Sequence, residues 1–540
     1  MGNKLSDSDL EFSDFNLGEF MLKKCSSFKE TVALVDAASD RKLTYKALSN
    51  CIRKFAAALL QLGLEKGDVV ATIMSNNIDY PVIYYSVVLI GGIFQPLSPL
   101  YTADQVASMM KECNTTYAIV DEEAFKTIKC FRDEIKLKVI TYGHLKSGCP
   151  SFESLLDRED RMSKPVELDL QITPAVLLCS SGTSGLPKAV KLSHFNVLAC
   201  IHQIKKVTRK MKRGDVAVLF VPLYHMFGLH CALTSELALG MTIVMMSKFT
   251  LEEYYILIQT HKASLIHIVP PVAVMIVNSP LSDKYDLSSV RHVMCGAAAL
   301  KTVVERKLKE RLKLDCIYQG YGMTEMGVSH ANTDSFYKMG SCGKALRGVE
   351  VKIEDPKTKV ILGANLRGEI CIKGPQVMLG YLGRPDANRE IFDKEGWLHT
   401  GDVGYLDEDG FLFVVDRLKE IIKYKGNQVP PAYLEDILLK HPGVKDAAVI
   451  GVPDAHAGEL PKAFIVRNDG MNNVDEQQIY DFVEDRVPPY MKLRGGVEFI
   501  REIPKNPTGK ILRRKLQEFP MRDENDNIDN GSGPVQMHRL

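Results

Sequence analysis

Hydrophobic and polar positions alternate with two different periods along the chain. Helical spacing is clearest in an apolar stripe formed by Leu48, Ile52, Phe55 and Leu59. Thr44, a good helix N-cap, precedes this stripe, and the predicted helix runs to Gly63. Short apolar runs that predict strands lie between such helical patterns, at 69–74, 117–120 and 138–141. This alternation, which continues to about residue 345, is typical of an α/β sheet that is covered on both faces.

The period changes to two after Gly348. Val349, Val351 and Ile353 alternate with polar residues and predict a small β-rich subdomain over about 346–416. Within it, residues 405–413 predict a hairpin whose turn is Asp409-Gly410.

The composition shifts again beyond residue 416. Residues 417–517 read as a compact α+β domain, whose predicted strands lie at 444–450 and 463–466. Both ends are predicted to lie outside the folded domains, as a polar tail over 1–30 and a disordered tail over 518–540.

Composition narrows the class of protein. The 540 residues are 25% charged and 45% hydrophobic, and the formal net charge of +1 argues against electrostatic binding of nucleic acid. Twelve cysteines without a Cys-x-x-Cys pair disfavour a zinc site or a secreted disulfide scaffold.

Residues 81–102 are uncharged and long enough to span a bilayer. Their Gly91-Gly92 pair, Gln95 and prolines favour a buried helix followed by a buried strand.

The two termini carry weak targeting patterns. Gly2 and Ser6 fit the N-myristoylation pattern, and the alternative is a chance match at a frayed terminus. One acyl chain would give only weak membrane association. The last three residues, His538, Arg539 and Leu540, loosely resemble the Ser-Lys-Leu peroxisomal address. The expected location is therefore cytoplasmic or peroxisomal, with membrane association as an open alternative.

A glycine- and hydroxyl-rich stretch is the strongest chemical signal. An apolar run ends in four hydroxyls and two glycines over 180–185, and Pro187 and Lys188 follow. Glycine lets backbone N–H groups approach a ligand, hydroxyls donate hydrogen bonds and lysine adds positive charge, which together suit a polyphosphate. It is not a Walker loop, because Pro187 stands where that pattern requires glycine. A second alternating run follows, so a phosphate loop between two strands is predicted, with a polar surface hairpin as the alternative. The candidate phosphate ligands are Ser180, Ser181, Gly182, Thr183, Ser184 and Lys188.

Two further motifs add oxygen ligands. Tyr321-Gly322-Met323-Thr324-Glu325 follows a predicted strand, and its hydroxyl beside a carboxylate suits phosphates bridged by Mg²⁺. Asp402 ends the motif at 397–402 and can accept two hydrogen bonds, and Arg417 follows after the hairpin. A structural Asp402–Arg417 ion pair is the alternative for these two residues.

Together these motifs resemble those of the adenylate-forming enzymes: acyl-CoA synthetases, 4-coumarate–CoA ligases and beetle luciferases. The resemblance covers residues 43–516, and the motif sequences are most similar to those of 4-coumarate–CoA ligase-like proteins. It implies a large N-terminal domain over 31–416, built of two α/β sheet subdomains and the β-rich one, hinged at 416–419 to a mobile C-terminal domain.

The function implied by the resemblance is an ATP-dependent acyl-CoA ligase. Such an enzyme forms an acyl-adenylate with release of pyrophosphate and then passes the acyl group to coenzyme A. A 4-coumarate-like acid and a medium- or long-chain fatty acid are both compatible with the sequence. A luciferase-type oxygenase and an inactive acyl or nucleotide binder are the alternatives. Lys510, Asp402, Arg417 and Glu325 occurring together argue against the inactive protein.

The resemblance also assigns residue roles. Glu325 would bind Mg²⁺, and Lys425 and Gly426 would contact coenzyme A. The catalytic set would be Lys510, Lys423, Thr324 and His225. The acyl pocket would contain His225, Met226, Phe227, Val328 and Ser329. Besides the phosphate loop, the nucleotide would contact Gly296, Ala297, Gln319, Gly320, Tyr321, Thr324, Asp402, Arg417, Lys419, Gln428 and Lys510.

Overall fold

The computed structural model describes residues 14–143, 145, 147–158, 166–180, 187–208, 210–425, 427–454, 456–468, 470–471, 474–506 and 509–518. It divides into two compact units, one ending at Leu418 and the other beginning at Lys419. Several predicted features lie outside the described residues: Gly2, the residues 181–186 of the phosphate loop, Gly426 and the C-terminal residues 538–540.

The first unit is an α/β structure with two large mixed sheets, as predicted. The nine-stranded sheet has the spatial order β15 (Lys344–Ala345), β14 (Gly327–Ala331), β13 (Tyr318–Met323), β12 (His292–Cys295), β11 (Leu265–Ile268), β9 (Val216–Leu219), β10 (Thr242–Met245), β1 (Val32–Asp36) and β2 (Lys42–Thr44). The seven-stranded sheet has the order β18 (Gly380–Tyr381), β8 (Lys188–Ser193), β7 (Pro174–Ser180), β4 (Ile93–Leu97), β3 (Val69–Ile73), β5 (Thr115–Val120) and β6 (Lys138–Thr141). In both sheets the central strands are parallel, and antiparallel strands lie at an edge.

Helices cover these sheets. In the first unit they are α1 (Leu17–Phe28), α2 (Tyr45–Gln61), α3 (Tyr80–Leu89), α4 (Ala103–Glu112), α5 (Glu122–Ile128), α6 (Phe152–Leu156), α7 (His194–Val207), a π-helix (Phe227–Thr234), α8 (Ser235–Leu239), α9 (Leu251–His261), α10 (Pro270–Asn278), a 3₁₀ turn (Pro280–Asp283), α11 (Thr302–Leu312) and α12 (Pro385–Ile391). The predicted helix after Thr44 is α2, and the Thr44 side chain accepts a hydrogen bond from the Ala47 N–H. The uncharged segment 81–102 forms the buried α3 and then β4. Within the described part of the chain, every helix is too short or too polar to cross a bilayer.

The β-rich subdomain is a separate four-stranded antiparallel sheet. Its order is β16 (Glu350–Glu354), β17 (Gly368–Lys373), β19 (Leu398–Leu406) and β20 (Leu412–Arg417). The predicted hairpin is the β19–β20 pair, in which Tyr405 lies opposite Phe413. The Asp407 carboxylate accepts the backbone N–H groups of Asp409 and Phe411 and so closes the turn.

The second unit is α+β. One sheet contains β22 (Asn427–Val429), β21 (Ile422–Tyr424), β24 (Gly458–Arg467) and β23 (Val444–Asp454), with β25 (Val497–Phe499) also paired to β24. The helices are α13 (Pro431–Leu438), α14 (Glu476–Glu484), a 3₁₀ turn (Pro489–Met491) and α15 (Arg513–Gln517). The two predicted strands at 444–450 and 463–466 lie in β23 and β24.

The structure corrects the predicted polar tail over residues 1–30. Its second half forms α1, which begins with a capping box between Asn16 and Glu19. Leu17, Phe20 and Met21 are buried on one face of this helix, whereas the lysines that made the segment look polar point away from the core. Average composition therefore concealed a short amphipathic helix.

Helix α1 packs closely on α3. A Cβ atom built on Gly18 would lie 2.5 Å from the Leu89 Cβ, well inside van der Waals contact. Glycine at this position is therefore a packing requirement, although it weakens the helix itself.

We expect Gly18→Ala to lower the melting temperature. Alanine favours a helix over glycine by about 1 kcal/mol, but the overpacking against Leu89 costs about 1–3 kcal/mol. Ser26→Ala, on the exposed face of the same helix, is the matched control and should not lower it. A Gly18→Ala protein as stable as the wild type would show that α1 can move away from α3.

Four described histidines of the first unit are completely buried, and three of them, His194, His230 and His330, have a strongly lowered pKa. Burial lowers the pKa of His194 to about 4 and the pKa values of His230 and His330 to about 3. The Nε2 atom of His230 lies 3.0 Å from the Tyr84 hydroxyl, and the Nδ1 atom of His194 accepts the Leu17 N–H. The folded protein therefore holds these rings in the neutral form at pH 7.

This burial predicts acid sensitivity. The folded pKa values lie below the ordinary histidine value of about 6.5, so below that pH the unfolded chain binds more protons. The free energy of unfolding should therefore fall as the pH drops from 6.5 towards 4. Denaturation midpoints measured between pH 7 and 4.5 test this, and His230→Gln should reduce the slope. Midpoints that do not change over this range would contradict the prediction.

Candidate active site

The phosphate-loop stretch joins two antiparallel strands, as predicted. β7 ends at Ser180, β8 begins at Lys188, and these two residues lie opposite each other. Ser180 is buried and Lys188 is half-buried. The predicted ligands Ser181, Gly182, Thr183 and Ser184 lie in the undescribed loop between them. The described strand ends therefore fix where the loop starts and finishes.

A carboxylate, a hydroxyl and a cation come together beside these strand ends. The Tyr381 hydroxyl donates to the Glu325 carboxylate over 2.8 Å, and the Lys188 ammonium lies 4.8 Å from the centre of the Tyr381 ring. Glu325 is only 5% exposed. Burial, with the adjacent Glu325 charge, raises the pKa of Tyr381. The cluster offers the charges that a metal-bound polyphosphate requires.

Strand pairing explains how these residues meet. Tyr381 lies in β18, which pairs with β8, so its ring reaches Lys188. Glu325 lies in the turn between β13 and β14, with the half-buried Thr324 beside it. The Met378 N–H also donates to the Glu325 carbonyl. Three segments that are distant in sequence therefore converge on one point.

Asp402, Arg417 and Tyr321 form a second polar group. Asp402 and Arg417 lie opposite each other in the β19–β20 hairpin, and the Arg417 Nε is 3.2 Å from Asp402 Oδ1. The Tyr321 hydroxyl donates to Asp402 Oδ2 over 2.8 Å. Burial and the Asp402 charge raise the pKa of Tyr321. The ion pair weighed as an alternative thus exists, and the predicted contact of Tyr321 with the nucleotide stays a prediction.

Gln319 acts on the neighbouring loop through its side chain. Its amide oxygen accepts the Leu300 N–H and its amide nitrogen donates to the Ser341 carbonyl. This holds the turn after β12, which contains the buried Gly296 and the exposed Ala297. Ala297 has a φ of +71°, a left-handed conformation that costs energy for a residue with a Cβ. Gly320 follows in β13, half-buried.

The predicted acyl segment leads into the π-helix. Burial lowers the pKa of His225 to about 4, so its ring is neutral at pH 7. Met226 is buried and its sulfur lies 3.2 Å from His230 Nδ1, whereas Phe227 is half-buried beside Gly296. π-Helical turns are rare and are often found at functional sites.

Gly228 fixes the path of the backbone here. A Cβ at this position would lie 2.1 Å from the Pro222 carbonyl oxygen, far inside van der Waals contact. No side chain fits there unless the turn that presents His225 moves.

Ser329, a predicted pocket residue, is fully buried. Its hydroxyl donates to the Tyr321 carbonyl and lies 3.0 Å from His330 Nδ1. These bonds tie Ser329 to β13, and its place in the acyl pocket stays a prediction. The neighbouring Val328 is half-buried, in the position expected of a lining residue.

In the second unit, the predicted thiolation residues occupy a hairpin. Lys423 is exposed on β21 between the buried Ile422 and Tyr424, and its N–H donates to the Glu459 carboxylate. Lys425 is exposed in the turn to β22, at a φ of +44°. Gln428 pairs with Lys423 in this hairpin, and Lys419 is exposed at the start of the unit.

The predicted catalytic Lys510 lies on a tight loop of the same unit. Its N–H donates to the Asn506 side chain, and the Gly509 N–H donates to the Asn506 carbonyl. Three residues later, Arg513 pairs with Glu435 over 2.6 Å and with Glu420 over 3.1 Å. The Lys510 loop is thus tied to Glu420, close to the start of the unit.

Sequence reasoning missed two groups of polar residues. Tyr381 contacts Glu325, which lies 56 residues earlier in the sequence. The local sequence Gly-Tyr-Leu-Gly around Tyr381 predicts only a turn and gives no indication of this contact. Glu369 and His399 lie beside the segment that carries Asp402. An acidic residue at 369 within an otherwise apolar strand was the available signal.

The chain matches known proteins over almost its whole length. Residues 22–382 match the family AMP-binding enzyme, and residues 433–510 match the AMP-binding enzyme C-terminal domain. The 4-coumarate–CoA ligase 1 of Solanum tuberosum is 37% identical over 510 residues, which cover 93% of each chain. The 4-coumarate–CoA ligase 3 of Arabidopsis thaliana is 35% identical over 527 residues, 95% of this chain and 93% of the relative.

Solved structures agree with these relatives. ATP-bound MatB from Rhodopseudomonas palustris has a TM-score of 0.86 at 25% identity, covering 93% of this chain and 99% of that one. The anthranilate CoA ligase AuaEII in complex with anthranoyl-AMP has a TM-score of 0.87 at 25% identity, covering 95% and 98%. On this evidence, the chain belongs to the AMP-binding enzyme family of adenylate-forming enzymes.

Proposed function

We propose that the protein is an ATP-dependent acyl-CoA ligase of the AMP-forming class. The observation that carries this function is the convergence of Lys188, Tyr381 and Glu325 at the ends of the phosphate-loop strands. The relatives whose names denote CoA ligases over almost the whole chain support it.

In the first half-reaction, a carboxylate oxygen of the acid attacks the α-phosphorus of ATP. The bond from this phosphorus to the bridging oxygen breaks, and pyrophosphate leaves with the electron pair. The Lys510 ammonium and the Thr324 hydroxyl stabilise the negative charge that develops on the phosphoryl oxygens. Asp402, held by Arg417 and Tyr321, accepts hydrogen bonds from the ribose hydroxyls.

Mg²⁺ fits this site through Glu325. Mg²⁺ prefers oxygen ligands and is commonly held by one or two carboxylates together with substrate phosphates. Glu325 supplies a buried carboxylate whose orientation is fixed by the Tyr381 hydroxyl. When bound, the ion would neutralise phosphate charge, and Lys188 contributes a second positive charge at the same place.

In the second half-reaction, the thiolate of coenzyme A attacks the acyl carbon and AMP leaves. The exposed Lys423 and Lys425, with Gly426, are proposed to guide coenzyme A to the adenylate. Because Lys510 and Lys423 lie on separate loops of one unit, a rotation at about 416–419 would present them in turn. His225, neutral at pH 7, orients the acyl carboxylate by hydrogen bonding rather than by charge.

The acid is proposed to be a 4-coumarate-like aromatic acid or a medium- to long-chain fatty acid. The half-buried Phe227 and Val328 supply apolar contacts that suit either class. Pyrophosphate release, measured for a panel of aromatic and fatty acids with and without coenzyme A, tests the function and orders the substrates. ATP-dependent release with at least one acid is expected. No release with any acid would favour an inactive binder, and light emission with luciferin would favour the oxygenase.

The two lysine loops should separate the half-reactions. Lys510→Ala should slow adenylate formation by about 10²-fold or more, as expected when an electrostatic stabiliser is removed. It should still convert supplied acyl-adenylate and coenzyme A into thioester. Lys423→Ala should show the reverse: adenylate accumulates and thioester formation lags. Pyrophosphate release and thioester formation are measured separately for each variant.

Lys440→Ala is the matched control, because Lys440 is exposed in the same unit and its ammonium forms an ion pair with Asp436. It should leave both half-reactions unchanged. If Lys510→Ala and Lys423→Ala lose both half-reactions equally while melting normally, the separate roles are wrong.

We also propose a weak lipid anchor at Gly2 and a peroxisomal address at residues 538–540, on the sequence patterns alone. Gly2→Ala should shift the protein from membranes to the soluble fraction, as measured by fractionation and myristate labelling. Deletion of residues 538–540 should reduce co-localisation with peroxisomes. An unlabelled wild-type protein would reject the first idea, and unchanged localisation of the deletion would reject the second.

A further inference from the structure

The strand that carries Asp402 leaves the regular ladder just before this residue. Glu369 of β17 lies opposite Val403 of β19, whereas Cys371 lies opposite His399. Residues 400, 401 and 402 of β19 therefore face one residue, Ile370, on β17. Such a bulge redirects a side chain at the cost of regular ladder hydrogen bonds, so other groups must hold its backbone.

The Glu369 side chain replaces the missing ladder. Its Oε1 atom accepts the Gly401 N–H over 3.2 Å, and its Oε2 atom lies 2.9 Å from His399 Nδ1. The carboxylate is buried, so both contacts are shielded from water. The pKa of His399 is raised by its hydrogen bond to Glu369, which favours a proton on the ring.

The other groups of the bulge are also fixed. The Gly401 carbonyl accepts the Leu418 N–H over 2.8 Å. The Thr400 hydroxyl donates to the Ile370 carbonyl and accepts the Asp402 N–H. Gly401 has a φ of +69°, a conformation that favours glycine. Glu369 thus bonds, from the β17 side, to the N–H of Gly401, the residue directly before Asp402.

The same neighbourhood has the residue types of a metal site. Donor atoms of Glu354, Glu369, Cys371 and His399 lie within 4.8 Å of one another. However, Lys352 and Lys359 pair with Glu354 at 2.9 and 3.2 Å, and these two ammonium groups already offset the carboxylate charges. The Nδ1 atom of His399 is also engaged by Glu369. The arrangement is therefore better explained as a hydrogen-bonded support for the bulge.

We propose that Glu369, oriented by His399, is a positioning residue that sets Asp402 for binding the ribose of the nucleotide. It acts through the Gly401 peptide and touches no reacting atom. This inference rests on the proposed function for the role of Asp402, and it adds residues that contribute to affinity for ATP from outside the nucleotide contacts.

The test compares two matched carboxylates. Glu354 lies directly opposite Glu369 in the β16–β17 ladder and is equally buried, and its carboxylate forms ion pairs with Lys352 and Lys359. Glu369→Gln leaves one acceptor oxygen where the carboxylate offered two, and it removes the charge that favours a proton on His399. It should therefore raise KM for ATP about tenfold or more, with a smaller change in kcat. Glu354→Gln should leave KM for ATP within about twofold of the wild type, because the Gly401 N–H is bonded by Glu369 and not by Glu354, although the Glu354 carboxylate lies within 4.8 Å of the Glu369 and His399 donor atoms.

Histidine variants test the orientation of Glu369. In His399→Asn the side-chain amide can still donate to Glu369, and KM for ATP should stay close to the wild type. His399→Leu removes the donor and should reproduce the Glu369→Gln effect. Melting temperatures of all variants show whether a loss of affinity is merely a loss of folding.

A double-variant cycle shows whether Glu369 acts through Asp402. Adding Glu369→Gln to Asp402→Asn should weaken nucleotide binding no further, because the positioned group is already absent. ATP affinity, measured by calorimetry, is the readout, so the test does not depend on turnover. Additive effects, or equal losses in Glu369→Gln and Glu354→Gln, would overturn the proposal. A wild type that binds ATP but releases no pyrophosphate would instead refute the proposed function.

Discussion

Tyr381 connects the two large sheets of the first unit at one hydrogen bond. Its strand, β18, pairs with β8 in the seven-stranded sheet, while its hydroxyl donates to Glu325 in the turn of the nine-stranded sheet. The ring also lies beneath the Lys188 ammonium. The position of the carboxylate relative to the phosphate-loop strands therefore depends on this contact, and the chemistry of the site depends on that position.

In the second unit, the lysines proposed to act in the two half-reactions are carried on loops whose backbone is held by other groups. The Asn506 side chain accepts the Lys510 N–H, and the Glu459 carboxylate accepts the Lys423 N–H. The Arg513–Glu435 pair then fixes the Lys510 loop to the rest of its unit. The backbone that carries each proposed lysine is therefore restrained by neighbours within the same unit.

The sequence patterns correctly predicted the elements whose formation depends on interactions between residues close together in the chain. The helix after Thr44, the strand at 69–74 and the hairpin around Gly410 follow from capping, apolar runs and turn residues, and all three are present. Helix α1 was missed because the average composition of residues 1–30 is polar, and this average hid the apolar face of a helix of only 12 residues. The burial of Ser329 and its bond to the Tyr321 carbonyl were not visible in the sequence, because a motif indicates a neighbourhood but not which face of a strand a side chain occupies.

The candidate site was predictable only where a motif holds its own residues together. Asp402, Arg417 and Glu325 were singled out in this way, and the structure adds the contact of Asp402 with Arg417 and that of Glu325 with Tyr381. Tyr381 and Glu369 could not be found, since each reaches its partner by strand pairing across tens of residues. Such pairings depend on the packing of the whole sheet, so they cannot be predicted from a short stretch of sequence.

The crowding at Gly228 has a consequence for how this protein can diversify. Its backbone lies so close to the Pro222 carbonyl that any side chain at this position would force the turn to move. A substitution at Gly228 therefore changes the main chain, whereas Met226 and Phe227, directly before it, meet no such backbone constraint from the Pro222 carbonyl. If these two side chains contact the acid as proposed, preference among acids can diverge through them while Gly228 keeps the turn in place.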